Sequence, residues 1–72
     1  MSVDGSCSVR INGENRHVPE ATTIAEMINS LGLDPARVAV ERNLEIVPRS
    51  TFGTVCVEDG DDYEIVHFVG GG

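Results

Sequence analysis

Thr23-Ile24-Ala25-Glu26-Met27-Ile28-Asn29-Ser30-Leu31-Gly32-Leu33 is the stretch from which the rest of the chain can be read. Thr23 and Glu26 have the T-x-x-E spacing of a capping box, in which each residue satisfies the other's backbone amide at a helix start. Ile24, Met27, Ile28 and Leu31 fall at i, i+3, i+4 and i+7, which makes one apolar stripe. Gly32 stands where a helix ends in a left-handed residue, and Leu33 is placed for the hydrophobic contact that accompanies such an end. The spacing predicts a helix over 23–31. Burying its stripe is worth roughly 1.5–3 kcal/mol per side chain, and in so small a chain the surface that can receive it is a sheet.

Outward from the helix, strands are expected on both sides. Cys7-Ser8-Val9-Arg10-Ile11 alternates apolar with polar residues, and Asn12-Gly13 supplies a tight hairpin turn because both residues tolerate positive φ. A second strand should return through Asn15 to Val18 and stop at Pro19, which has no amide hydrogen for a ladder. After the helix, Val38-Ala39-Val40 and Leu44-Glu45-Ile46-Val47 read as short strands around a turn at Arg42-Asn43, with Pro48 ending the second. Thr54-Val55-Cys56-Val57 reads as a strand or a short turn. Asp59-Gly60-Asp61 is a tight turn. Tyr63-Glu64-Ile65-Val66-His67-Phe68-Val69 is the strongest strand signal in the chain, and apolar residues on both its faces place it centrally in the sheet. The expected class is α+β, a mixed four- to five-stranded sheet with one main helix packed on one face.

The 72 residues make one domain, with a core too small to share with a substrate-enclosing pocket. That size favours a carrier, adaptor or subunit. A net charge of −7 disfavours nucleic acid and anionic membranes as partners, because like charges repel and no counterions would be released. All five basic residues are arginine, so no side-chain amine is offered for isopeptide linkage. No apolar run approaches the roughly 20 residues that span a bilayer, and Met1 to Ser6 has neither the cationic start nor the apolar stretch of an export signal, so a cytoplasmic location is expected. In that setting Cys7 and Cys56 are expected to be buried free thiols. His17 and His67 lack metal-site spacing, and the acidic residues Glu58, Asp59, Asp61, Asp62 and Glu64 lack a calcium-loop pattern and read as a solvated turn; no metal site is expected. Arg49 reads either as a partner-docking residue or as a donor to a loop carbonyl.

The remaining feature is Gly70-Gly71-Gly72 directly after the strongest strand. Without Cβ atoms these residues permit close backbone approach and extended or unusual φ/ψ, as threading into a narrow channel requires. A carboxylate at Gly72 would be a chemical handle, provided that ATP activates it to an acyl-adenylate. The expected organisation is an N-terminal arm over 1–6, a folded domain over 7–69 and a glycine tail over 70–72.

Several segments taken together resemble the thiamine-biosynthesis sulfur carriers, the ThiS family, which have the β-grasp (ubiquitin-like) fold. These are Val38-Ala39-Val40-Glu41-Arg42-Asn43, Ile46-Val47-Pro48-Arg49-Ser50, Asp59-Gly60-Asp61, and Glu64-Ile65-Val66-His67-Phe68-Val69-Gly70-Gly71-Gly72. Asn12-Gly13-Glu14 and Leu31-Gly32-Leu33 also fit the pattern. The resemblance implies a sulfur-carrier cosubstrate, not an enzyme, with no catalytic residues and no bound cofactor. An E1-like adenylyltransferase (ThiF-like) would spend ATP to adenylate Gly72, and a sulfur donor such as a cysteine desulfurase would convert it to a thiocarboxylate. Thiazole synthase (ThiG-like) would then take the sulfur. Gly70, Gly71 and Gly72 would thread into the partner, and Phe68, Val69 and Arg49 would contribute to docking, with the open sheet face as the docking surface. The alternatives are the small subunit of molybdopterin synthase, against which the Val47-Pro48-Arg49-Ser50 segment argues, and a ubiquitin-like protein modifier.

Overall fold

The structure is a computed structural model that describes residues 5–68. Its chain order is β1 (Ser6–Ile11), β2 (Glu14–Pro19), α1 (Ile24–Ser30), a 3-10 turn (Pro35–Arg37), β3 (Val38–Arg42), β4 (Glu45–Ile46), a second 3-10 turn (Arg49–Thr51) and β5 (Asp62–His67). The five strands form one mixed sheet in the order β2-β1-β5-β3-β4. β5 runs parallel to β1 and antiparallel to β3, so the strongest strand signal does lie at the centre of the sheet. One helix and this sheet make the expected α+β, β-grasp arrangement.

Alternation in the strands separates two faces. Cys7, Val9 and Ile11 of β1, Val18 of β2, Val38 and Val40 of β3, and Tyr63 and Ile65 of β5 point into one core with Ile24, Met27 and Ile28 of the helix. The helix has the ends that its sequence announced. Thr23 Oγ1 accepts from Glu26 N–H at 3.1 Å, and Glu26 Oε1 accepts from Thr23 N–H at 2.9 Å. At the other end Gly32 has φ +79°, Gly32 N–H donates to Asn29 O at 2.9 Å and Leu33 N–H donates to Ile28 O at 3.2 Å. That pair of bonds is a Schellman motif, which satisfies carbonyls the last turn leaves open.

Two expectations differ from what is found, and a third is narrowed to one of its alternatives. The second hairpin turns at Asn43-Leu44, both at positive φ (51° and 71°), instead of at Arg42-Asn43. Arg42 pairs with Glu45 across a two-residue loop, so Leu44 is spent in the turn and β4 shrinks to two residues. Of the two readings of residues 54–57, strand or short turn, the strand is absent. Their segment caps the helix instead: Val55 O accepts from Ile24 N–H at 3.0 Å and Phe52 O accepts from Ala25 N–H at 2.9 Å. These are first-turn amides with no partner inside the helix, and meeting them needs carbonyls at helix spacing, which a regular strand does not present. β1 begins at Ser6, within the stretch expected to be a loose arm, because Ser6 pairs with Pro19 and Gly5 O accepts from Glu20 N–H at 2.9 Å.

Candidate functional site

β5 is the element that carries the glycine tail, so the site is built from what holds β5. On its β3 edge the pairing runs from Tyr63 opposite Arg42 to His67 opposite Val38, and Phe68 N–H donates to Arg37 O at 2.9 Å. On its β1 edge only Asp62 and Tyr63 are paired, opposite Arg10 and Ile11. Val69, Gly70, Gly71 and Gly72 lie outside the described residues. Phe68, expected at a docking surface, is half exposed at the end of β5.

The sheet face away from the helix is partly apolar. Ile46 and Val66 are 78% and 60% exposed, and with Ala39, Val40, Glu41 and Glu64 they line a shallow groove of about 270 Å³. Exposure of Val66 and Phe68 is the opposite of what a strand buried on both faces would show, so the second face of β5 is a surface rather than more core. Arg49 is exposed, and its guanidinium donates to Val38 O at 2.9 Å, a structural bond of the kind one reading expected but to a strand carbonyl instead of a loop carbonyl.

Of the acidic residues expected to form a solvated turn, Glu58, Asp59, Asp62 and Glu64 are exposed, but Asp61 is the centre of an ordered hydrogen-bond cluster. Asp61 is only 8% exposed. Its Oδ2 accepts from Tyr63 Oη–H at 2.8 Å and from Glu58 N–H at 3.0 Å, its Oδ1 accepts from Asn43 Nδ2–H at 3.2 Å, and Arg42 Nη1 stands 4.0 Å from Oδ2. A buried carboxylate is tolerable because these donors replace the water it has lost. Burial, and then the bond to Asp61, push the Tyr63 phenol well above its ordinary range. Asp59 Oδ1 accepts from Ser8 N–H at 2.7 Å, which ties the same turn to β1.

Two asparagines that read as turn residues do more than turn the chain. Asn12 and Asn43 each hold positive φ at the first position of a hairpin, and each reaches across to β5 with its amide. Asn12 Nδ2–H donates to Ile65 O at 3.1 Å and its Oδ1 accepts from Ile65 N–H at 2.8 Å. Asn43 Oδ1 accepts from Asp62 N–H at 3.0 Å while its Nδ2–H serves Asp61. Nothing in the local sequence distinguishes these roles from ordinary turn chemistry; the pairing spans up to 53 positions.

Among the described residues no group of three His, Cys, Asp or Glu side chains could hold a metal ion, and no helix is long and apolar enough to cross a membrane. Cys7 and Cys56 are both free thiols. Cys7 is buried as expected, and burial pushes its thiol up. Cys56 is exposed, contrary to expectation, because the segment that bears it runs as a helix cap over the surface instead of as an inward-facing strand.

This arrangement has known counterparts. A solved crystal structure of the thiamine biosynthesis protein ThiS from Geobacter metallireducens superposes with a TM-score of 0.72 at 32% identity, covering 90% of this chain and 99% of that one. The sulfur carrier protein ThiS of Bacillus subtilis is 38% identical over 65 residues, which is 89% of this chain and 98% of the relative. A thiazole synthase of Paramagnetospirillum magneticum is 53% identical over 62 residues, and there the chain spans only 19% of the relative's length. The model of the ThiS family matches residues 9–72, a span that takes in the second half of β1, the other four strands, the helix and the three glycines. With that span and that fold, the chain belongs to the ThiS family.

Proposed function

We propose that this chain is a sulfur carrier for thiamine biosynthesis that works as a cosubstrate, with the carboxylate of Gly72 as its reactive group. The observation that carries the reading is the family match through residue 72, on a domain whose central strand is the last element of the chain before the glycines. In the first step a Gly72 carboxylate oxygen attacks the α-phosphate of ATP in an E1-like adenylyltransferase, and pyrophosphate leaves. The terminal sulfur of a persulfide, supplied by a donor such as a cysteine desulfurase, then displaces AMP from the acyl-adenylate to give an acyl disulfide, and a thiol cleaves its S–S bond, leaving a thiocarboxylate on Gly72 and a disulfide on the donor. The partner provides the catalytic groups and the nucleotide site, and the carrier provides the handle and the surface that docks. Cytoplasmic enzymes of this kind fit a small acidic chain.

The acceptor in this reading is thiazole synthase. Support comes from relatives in which a segment like this chain is part of a protein named thiazole synthase, since two functions joined in one polypeptide commonly meet when separate. The half-exposed Phe68, with Val69 and the apolar open face, is then the docking surface at the root of the tail. Arg49 contributes chiefly by holding the 3-10 turn against β3.

The test is intact mass after incubation with ATP, the E1-like partner and a sulfur source. The expected result is a gain equal to the difference between sulfur and oxygen, confined to the C-terminal peptide. No ATP-dependent product would refute the carrier reading, and Gly72 linked to target lysines would make the chain a protein modifier.

A further inference from the structure

The two edges of β5 are held unequally, and the imbalance falls where the strand leaves the core. Ile65 is the last core side chain of β5 at 7% exposure, and beyond it Val66 and Phe68 are 60% and 50% exposed. Past that point no buried side chain anchors the strand. Its β3 edge is still paired, but β1 has turned away at Asn12-Gly13, so the β1 edge has no backbone partner after Tyr63. Asn12 fills the gap. Its backbone N–H donates to Tyr63 O at 2.9 Å, and its side-chain amide meets both the N–H and the C=O of Ile65, two groups that a longer parallel β1 would have satisfied from two residues two positions apart.

Resting on the carrier reading above, we infer that Asn12 is a positioning residue: its amide stands in for the missing continuation of β1 and fixes the direction in which β5 delivers the tail to a partner. Without the bracket, β5 beyond the Ile65 side chain is held along its β3 edge alone. At about 3.3 Å per residue, a tilt of roughly 10° at Ile65 moves Phe68 by about 2 Å. Misplacement by about 1 Å can cost on the order of a hundredfold in a reaction that needs aligned atoms. Asn43 grips β5 at Asp62, before the core residues Tyr63 and Ile65, and so has no leverage on the exit.

Asn12→Gly isolates the bracket, because glycine accepts the positive φ of the turn and keeps the backbone bond to Tyr63 while losing both side-chain bonds. Asn12→Asp retains the acceptor for Ile65 N–H and loses the donor, and Asn43→Gly is the matched control at the other end of β5. Two readouts are taken on the full chain: ATP–pyrophosphate exchange with the E1-like partner, and backbone amide order parameters at Val66, His67 and Phe68. For Asn12→Gly the expected result is a kcat lower by about tenfold with KM within about twofold, since the docking face is untouched and alignment is lost. Order parameters at Val66 to Phe68 should fall in Asn12→Gly, fall less in Asn12→Asp, and stay unchanged in Asn43→Gly. A kcat equal to that of the unsubstituted chain, or an equal loss in Asn43→Gly, would overturn the inference. If the unsubstituted chain is itself not activated, the carrier reading fails, and the bracket is judged on the order parameters alone: unchanged values in Asn12→Gly overturn it and lowered values uphold it.

Discussion

Tyr63 has no exposed surface, and its hydroxyl finds its hydrogen-bond partner in the buried Asp61 carboxylate at 2.8 Å. Removing the hydroxyl leaves that carboxylate one donor short in a place where water cannot replace it. Tyr63→Phe should therefore cost about 1.5–3 kcal/mol in urea unfolding, the range for a bond to a charged group. The same residue governs the alkaline limb of stability. Its folded-state pKa is raised above the ordinary value of 10.0, as that of Cys7 is above 9.0, both first by burial. Each acid is thus held protonated by folding, so its contribution is fully present below the unfolded pKa and is lost as pH rises through and beyond it. Urea midpoints should be level up to about pH 8 and fall from about pH 9 upward, and the fall should be shallower in Tyr63→Phe, which keeps only the thiol's share. Leu44 poses a different residue-scale question, since it is 89% exposed at φ 71° and stabilises nothing visible. A left-handed non-glycine residue costs roughly 1–2 kcal/mol, and asparagine tolerates that region better, so Leu44→Asn should raise the midpoint of unfolding by up to about 1 kcal/mol. A loss of stability would show that Leu44 packs against something.

The helix is short, seven residues, and could not persist alone. It survives because three things coincide: the capping box at Thr23, carbonyls of Phe52 and Val55 that meet its first amides, and a stripe that enters the core. Ile28 is fully buried at the middle of that stripe. Ile28→Ala should cost about 2–5 kcal/mol through the cavity it leaves under the sheet, measured by denaturant unfolding. Gly32→Ala tests the C-terminal end. Space is not the obstacle there, because an added Cβ would meet nothing within 4 Å, so any loss comes from the backbone at φ +79°. The expected loss is about 1 kcal/mol, with the helix otherwise intact by circular dichroism. A neutral outcome would mean that the Schellman bonds at Gly32 and Leu33 re-form in another backbone conformation.

At the scale of the whole molecule, fold and proposed chemistry are separable, because the core ends at Ile65 and the reactive group sits seven positions later. Deleting Gly72 should leave the melting temperature unchanged and abolish ATP–pyrophosphate exchange, since one residue of reach, up to about 3.6 Å, exceeds the tolerance of an aligned attack. Activation at the full rate would defeat the carboxylate-handle reading. How much of this could be read in advance depended on the range of the interaction concerned. The helix and both its ends, the Asn12-Gly13 hairpin and the strand character of β5 rest on periodicity and on φ preferences within a few residues, and such constraints are written into any window of sequence. The buried Asp61, the helix-capping path of residues 51–57, the exposed Cys56 and the apolar open face depend on which distant segments are brought together. So does the grip of Asn12 on Ile65, a bond between residues 53 positions apart. An aspartate in a D-G-D turn and an asparagine in an N-G turn have the same local chemistry whether water or a buried tyrosine and a strand edge surround them. Those surroundings exist only after the helix has docked on the sheet and β5 has entered between β1 and β3.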